Sequence, residues 1–314
     1  MISNLIDLKG RPFLKWAGGK TQLLPTIDSF LPKELRKQDS VTYIEPFVGG
    51  GAMLFFMLQR YKNISKAIIN DINPHLTTTY KVIRDKPHQL IDSLKDIQAN
   101  YRSLNQYDKQ KEFYLNIRSN FNSGKLEDFI EAAYMIFINR TCFNGLYREN
   151  SKGRFNVPFG RYTNPTICDE SLILADSEIL KKVEILTGDY SQTQNFVNGY
   201  TFIYFDPPYR PLDATSNFNS YVKESFGDIE QIRLKDFFSA VSKKGCFVML
   251  SNSDCRNKNI NDDFFDKLYN DFIIERVYAK RCINSIASKR GTLTELLIRN
   301  YHQCQGSERT LFNI

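Results

Sequence analysis

Asp206-Pro207-Pro208-Tyr209, directly after the apolar run Tyr200-Thr-Phe-Ile-Tyr-Phe205, constrains this chain more than any other segment. Pro207 and Pro208 have no N–H and a fixed φ, so a sheet ladder stops there and the backbone stays rigid. The run reads as a buried strand ending in an acid, two carbonyls and an aromatic face. Asp206 and the Pro207 carbonyl can accept hydrogen bonds from an exocyclic amine, and Tyr209 offers a face on which a planar ring stacks. Such groups make an aromatic amino nitrogen nucleophilic. By itself the tetrapeptide reads equally well as a proline-rich turn after a strand.

The surrounding pattern is α/β. Val41–Glu45 reads as a strand running into Gly49-Gly50-Gly51, followed by an apolar helix over Ala52–Gln59. Further strands are expected at Lys66–Asp71, Val183–Thr187, Thr201–Phe205 and Cys246–Ser251, with a helix over Asp228–Val241. Ile273–Lys280 and Leu293–Arg299 read as a closing hairpin. Strands alternating with helices predict a doubly wound, mostly parallel sheet. Residues 76–171 interrupt this pattern with helices at Gln89–Leu104 and Glu127–Arg140, then an irregular stretch from Thr141 to Pro165. The expected organisation is a core of 1–75 and 172–314 carrying an inserted, largely helical domain of 76–171.

A net charge of +7 says little alone, but its placement says more. Between Asn139 and Asn164 stand Arg140, Arg148, Lys152, Arg154 and Arg161 against one acid, Glu149. A second cluster, Lys280-Arg281 and Lys289-Arg290, lies near the C-terminus. Beside an amine-binding motif, two such clusters favour a polyanion such as DNA. No apolar run reaches the length of a membrane span, and the first residues lack a secretory pattern, so the chain reads as cytoplasmic. Six dispersed cysteines without a C-x-x-C pair, with three dispersed histidines, predict reduced thiols and no metal site.

Parallel sheets bind ligands beyond the carboxyl ends of their strands. Glu45-Pro-Phe-Val-Gly-Gly-Gly51 supplies a glycine turn there, without the G-x-G-x-x-G of dinucleotide enzymes or a P-loop lysine. Asp71, 26 positions after Glu45, sits where an acid bridges two ribose hydroxyls, and Asp189 where one reaches an adenine amine. In Phe13–Lys20, Trp16 is suited to packing on a sulfonium or an adenine ring, and Lys20 to pairing with an amino-acid carboxylate. Trp16 reads also as a plug docking the N-terminal segment onto the core.

Taken in order, Lys15–Lys20, Glu45–Met53, Asn70–Pro74, Asn139–Tyr162, Gly188–Tyr190, Asp206–Tyr209 and Leu250–Ser253 resemble the Dam-like DNA adenine-N6 methyltransferases. The resemblance spans roughly residues 13 to 300. Its most distinctive part, Asn144–Tyr162, is similar to the recognition loop of members that modify adenine in GATC. The resemblance implies a Rossmann-like core using S-adenosyl-L-methionine, with 76–171 recognising duplex DNA. It implies a cofactor site of Trp16, Lys20, Asp71 and Asp206, with Glu45, Phe47, Gly49, Asp189 and Tyr190 close by. Arg148 matches a guanine-reading arginine, while Phe143 and Asn144 match residues that wedge into the duplex. Relatives often carry Tyr where Phe143 stands. Leu146 and Pro158 match positions that touch thymine methyl groups, and Arg161 reads as a phosphate contact.

On this reading Asp206, Pro207, Pro208 and Tyr209 act on a flipped adenine, with no metal and no covalent enzyme intermediate. The expected partners are double-stranded DNA and, in a restriction–modification setting, an endonuclease of the same specificity without a stable complex. The enzyme is expected to be a monomer. Cytosine-C5 chemistry needs a nucleophilic cysteine after a proline, and no Pro-Cys dipeptide occurs. Cytosine-N4 methylation uses the same amine chemistry and stays open, as does a non-catalytic DNA-binding relative.

Overall fold

The computed structural model describes residues 10–210, 226–279 and 293–302. Lys280-Arg281, Lys289-Arg290, Cys282 and the 304–314 tail lie outside the described residues.

Seven strands form one sheet in the order β3-β2-β1-β4-β5-β7-β6. They are β1 (Val41–Glu45), β2 (Ile64–Asp71), β3 (Val183–Thr187), β4 (Thr201–Phe205), β5 (Phe247–Ser253), β6 (Ile273–Ala279) and β7 (Leu293–Arg299). The first five run parallel, and β7 enters antiparallel between β5 and β6. The sheet is therefore mostly parallel, with the expected closing hairpin at one edge. Successive residues of β1 and β4 face opposite layers, as a period of two requires. Tyr43, Phe202 and Tyr204 enter one hydrophobic cluster, whereas Ile44, Ile203 and Phe205 enter the other. Burial on both faces explains why these strands read as unbroken apolar runs.

The helices are α1 (Leu24–Phe30), α2 (Ala52–Arg60), α3 (Pro74–Asp85), α4 (Pro87–Ser103), α5 (Tyr107–Phe121), α6 (Asp128–Thr141), α7 (Glu170–Leu180), α8 (Asp228–Ser242) and α9 (Phe264–Leu268). Among the described residues, none is long and apolar enough to cross a membrane. Sequence reading found α2, α4, α6 and α8 but not α1, α3, α5, α7 or α9. The start of α3 has a local cause: the Asn73 side chain accepts from the Leu76 N–H, and Pro74 opens the first turn. Asp169 caps α7 in the same way, accepting from Leu172.

Helix α3 packs on β2 and β3 as well as on α4, α6 and α7. It thus lies across the expected domain boundary at residue 76. Tyr43 and Ile69 of the sheet share one continuous cluster with Leu94, Tyr101 and Phe137 of the helical section and with Phe155 and Val157 of the loop beyond it. That loop is irregular, as expected, and is held by two isolated bridges, Cys142–Phe159 and Glu149–Phe155.

Asp176 on α7 is buried, and its Oδ1 accepts the Arg11 backbone N–H at 3.0 Å. Its Oδ2 has no hydrogen-bond partner among the described residues. Burial pushes this carboxyl from its ordinary 3.8 up to about 8. The folded chain then binds more protons than the unfolded chain between those values, so stability falls as pH rises through that window. Asp176→Asn keeps the acceptor and removes the charge. Urea unfolding is expected to show a larger gain from the substitution at about pH 8 than at about pH 5. Equal changes at both values would contradict this account.

Candidate active site

The carboxyl ends of the parallel strands converge on one site. Glu45 ends β1, Asp71 ends β2, Asp189 follows β3 and Asp206 follows β4. Strand β1 leads to β2 on one side while β4 lies on the other, so the site opens at the point where strand order reverses. Because β7 is antiparallel, its beginning lies at this same edge, where Glu295 pairs with Ser253 of β5.

Lys20 is the hub. Only 4% of it is exposed, and its Nζ lies 2.8 Å from Asp206 Oδ1. The same nitrogen donates to the Tyr209 hydroxyl at 2.7 Å and to the Gly18 carbonyl at 3.3 Å, and stands 3.7 Å from Glu295 Oε2. Burial works against the ammonium, but Asp206, followed by Tyr209, Tyr204 and Glu295, outweighs it and holds the Lys20 pKa well above its ordinary value. Burial raises the Asp206 carboxyl, against which Lys20 and the Ser251 hydroxyl act. We read the pair as ionised, since an ammonium at hydrogen-bond length stabilises the carboxylate directly. Ser251 Oγ donates to Asp206 Oδ1 at 3.2 Å and accepts from the Tyr204 hydroxyl at 3.1 Å. Pro207 is buried and Tyr209 is 39% exposed, which leaves ring surface open to a ligand. The Pro208 carbonyl is occupied by Gln231 at 3.2 Å.

Glu45 is fully packed beneath this group. The Tyr43 hydroxyl donates to it at 2.8 Å, yet burial, with the nearby Asp206 charge, pushes its carboxyl well above the usual range. Asp71 accepts the Gly49 N–H at 3.0 Å through one oxygen and the Asn73 N–H at 2.9 Å through the other. Those bonds fix the acid in place and leave each oxygen a further lone pair. Gly49 has φ 49°, and a Cβ there would stand 2.9 Å from the Trp16 ring, so the glycine loop and the tryptophan need each other's shape.

Trp16 also stacks on Tyr147, with ring centroids 5.1 Å apart and planes at 26°. It therefore joins the glycine loop to the irregular loop, in keeping with the docking role read from sequence. Buried Asn139 reinforces the junction. Its side chain takes the Lys15 N–H and donates to the Lys15 carbonyl, both at 2.9 Å, and donates to Gly145 at 3.1 Å. Asp189 departs from a simple free acid: both its oxygens accept from Arg233 Nη2 at 2.8 Å, and the Ser191 N–H adds a bond at 2.9 Å. Although burial opposes it, these partners hold its carboxyl below the usual range. Tyr190 is buried against Phe47, with centroids 5.0 Å apart.

The loop residues form a second surface, tied to the site through Trp16 and Asn139. Phe143 is 53% exposed, and Asn144 follows with φ 57°, the one described non-glycine residue in the left-handed region. The Phe143 N–H donates to the Pro158 carbonyl at 2.9 Å. Arg148 is exposed, and its Nε donates to Asn156 Oδ1 at 2.8 Å, which orients the guanidinium. Pro158 is exposed, Leu146 is half-buried, and the Arg161 guanidinium lies over the Tyr107 ring at 5.4 Å. Helix α5 props this loop from behind, with Tyr114 and Arg118 both donating to the Val157 carbonyl.

Sequence reasoning missed Glu295, Ser251, Tyr147 and Arg233. Glu295 alone had a legible signal, an acid directly before the apolar Leu296-Leu297-Ile298.

A family model described as D12 class N6 adenine-specific DNA methyltransferase matches residues 16–283. The chain is 49% identical over 294 residues to the type II methyltransferase M.MjaIII of Methanocaldococcus jannaschii, covering 93% of this chain and 99% of that protein. It is 40% identical over 303 residues to the type II methyltransferase M1.LlaDCHI of Lactococcus lactis subsp. cremoris, covering 95% and 97%. It is 35% identical over 247 residues to a DNA adenine methylase of Vibrio cholerae, covering 78% and 82%. The Asp206–Tyr209 tetrapeptide at the switch point, a glycine loop braced by Trp16 and these matches agree: the chain belongs to the D12 class of N6 adenine-specific DNA methyltransferases.

Proposed function

We propose that this DNA adenine methyltransferase takes its methyl group from S-adenosyl-L-methionine and acts on an adenine flipped out of duplex DNA, within GATC. The observation that carries the reading is the buried Lys20–Asp206–Tyr209 cluster at the switch point, beside the Asp71 and Gly49 turn.

The residues present fit the cofactor. Asp71 is fixed by two backbone N–H groups with lone pairs to spare for ribose hydroxyls, and Ile72 beside it is 57% exposed, an apolar surface for a ring. Asp206, whose charge Lys20 holds at 2.8 Å, offsets a positive sulfonium. When bound, S-adenosyl-L-methionine supplies an electrophilic methyl group carried on that sulfonium.

Adenine N6 is a weak nucleophile because its lone pair is delocalised into the ring. Asp206 and the Pro207 carbonyl accept its two N–H bonds, pull the nitrogen toward tetrahedral geometry and localise the pair. The surplus proton leaves N6 for the Asp206 carboxylate. Tyr209, held at its hydroxyl by Lys20, stacks on the ring and fixes the approach. N6 is out of reach in a stacked duplex, so the base must be extruded. Phe143, exposed at the end of α6, is placed to fill the gap with Asn144. Arg148, oriented through Nε by Asn156, keeps its terminal nitrogens for guanine O6 and N7. Leu146 and Pro158 suit thymine methyl groups, and Arg161 a phosphate. GATC rests on the likeness of the Asn144–Tyr162 loop to that of GATC-modifying members. Residues 76–171 then form the recognition section. The type II methyltransferase names of two relatives favour a restriction–modification setting, with an endonuclease of the same specificity as a separate protein.

Asp206→Ala removes the acceptor, and single-turnover transfer to duplex DNA is expected to fall by about 10²–10⁴-fold. Near-normal transfer would overturn the role of Asp206. Arg148→Ala is expected to relax discrimination at one guanine by roughly 1–3 kcal/mol in competition assays with single-base variants. Equal weakening on every sequence would make Arg148 a phosphate contact instead.

A further inference from the structure

Glu295 is a half-buried acid that the mechanism above leaves without a task. Its Oε2 is buried with no hydrogen-bond partner among the described residues, although it faces an ammonium at 3.7 Å. The Oγ of Ser253, directly opposite across the β5–β7 pair, is also buried and unpartnered. Opposite residues of an antiparallel pair point to the same face, so two unsatisfied oxygens stand together beside Lys20. Buried polar atoms without partners are uncommon and mark places where a group is missing or is due to move.

The group due to move is Lys20. Asp206 Oδ1 holds both Lys20 and the Ser251 hydroxyl. A substrate amine donating to that carboxylate competes with the ammonium for it. Lys20 is too deeply buried to be left without a counter-charge. Among the described residues, the carboxylates within 4 Å of its Nζ are Asp206 and Glu295. Glu45 does not serve, since it lies beneath the site, takes the Tyr43 hydroxyl, and is held toward its neutral form by burial. A shift on the order of 1 Å brings Lys20 from ion-pair distance to hydrogen-bond length on Glu295.

We infer that Glu295 is a positioning residue: it takes over as the counter-ion of Lys20 when the substrate amine claims Asp206. The inference rests on Asp206 being the acceptor for that amine. Glu295 thereby frees the catalytic carboxylate without expelling the lysine from the site.

The test uses the full chain with Glu295→Gln and Glu295→Asp. Two quantities are measured: the single-turnover rate on unmodified duplex DNA with S-adenosylmethionine, and the affinity for S-adenosylmethionine by calorimetry without DNA. Glu295→Gln is expected to lower the rate about tenfold or more while the cofactor Kd stays within about threefold. An unchanged rate, or a cofactor affinity that falls in step with the rate, would overturn the inference. Should the glutamine variant fail to fold, Glu295→Asp carries the test, since it keeps the charge but withdraws it by one methylene. It is expected to show an intermediate rate with cofactor affinity intact. Wild-type rate in that variant, or a parallel loss of affinity, would overturn the proposal. A wild-type chain that transfers no methyl group would instead strike the assignment of Asp206 itself.

Discussion

A buried ammonium shared between carboxylates is the interaction on which the active site depends. Lys20 comes from the N-terminal segment, Asp206 and Tyr209 from the end of β4, and Glu295 from the start of β7. Removing one member of a buried ion pair strands a charge and costs about 3–5 kcal/mol, so each element fixes the position of the others. The cluster does more than hold the chain together. Burial raises the Asp206 carboxyl, and Lys20 and the Ser251 hydroxyl act against that rise.

A second constraint couples this cluster to the irregular loop from Thr141 to Pro165. Trp16 is wedged between Gly49 and Tyr147, and Asn139 grips the backbone of Lys15 on both its donor and its acceptor. The N-terminal segment is thereby fixed to the glycine loop and to the irregular loop at once. Displacement of either loop is felt by Lys20 a few residues along. Helix α5 adds rigidity from behind through Tyr114, Arg118 and Asn122, which holds both backbone groups of Phe155. These contacts give a physical route by which a ligand seated on the loop would steady the Lys20 cluster.

Much of the sheet was legible in the sequence. The apolar runs of β1, β3 and β4 end in a glycine turn, Gly188-Asp189 or Asp206-Pro207, each of which stops a ladder, and their bounds follow directly. Helix α5 was hidden because its buried residues, Tyr114, Ile117 and Phe121, are sparse among charged neighbours. Helix α3 was hidden because threonines fill much of its packed face. In the candidate site, the strand-end acids and the tetrapeptide were readable since their chemistry is local. The pairings were not: Lys20 and Tyr209 are 189 positions apart, and nothing local predicts that they touch. Asp189 shows the same limit, because Arg233 reaches it from another helix.

The proposed activity is methylation by this cluster of N6 of an adenine at one short duplex sequence. The most direct test is incubation of an unmodified plasmid with the protein and S-adenosylmethionine, followed by mapping of every modified base. N6-methyladenine confined to GATC is the expected result. The same base at a different motif would contradict the reading of the Phe143–Arg161 loop while leaving the amine chemistry in place. A plasmid without any modified base would contradict the claim itself.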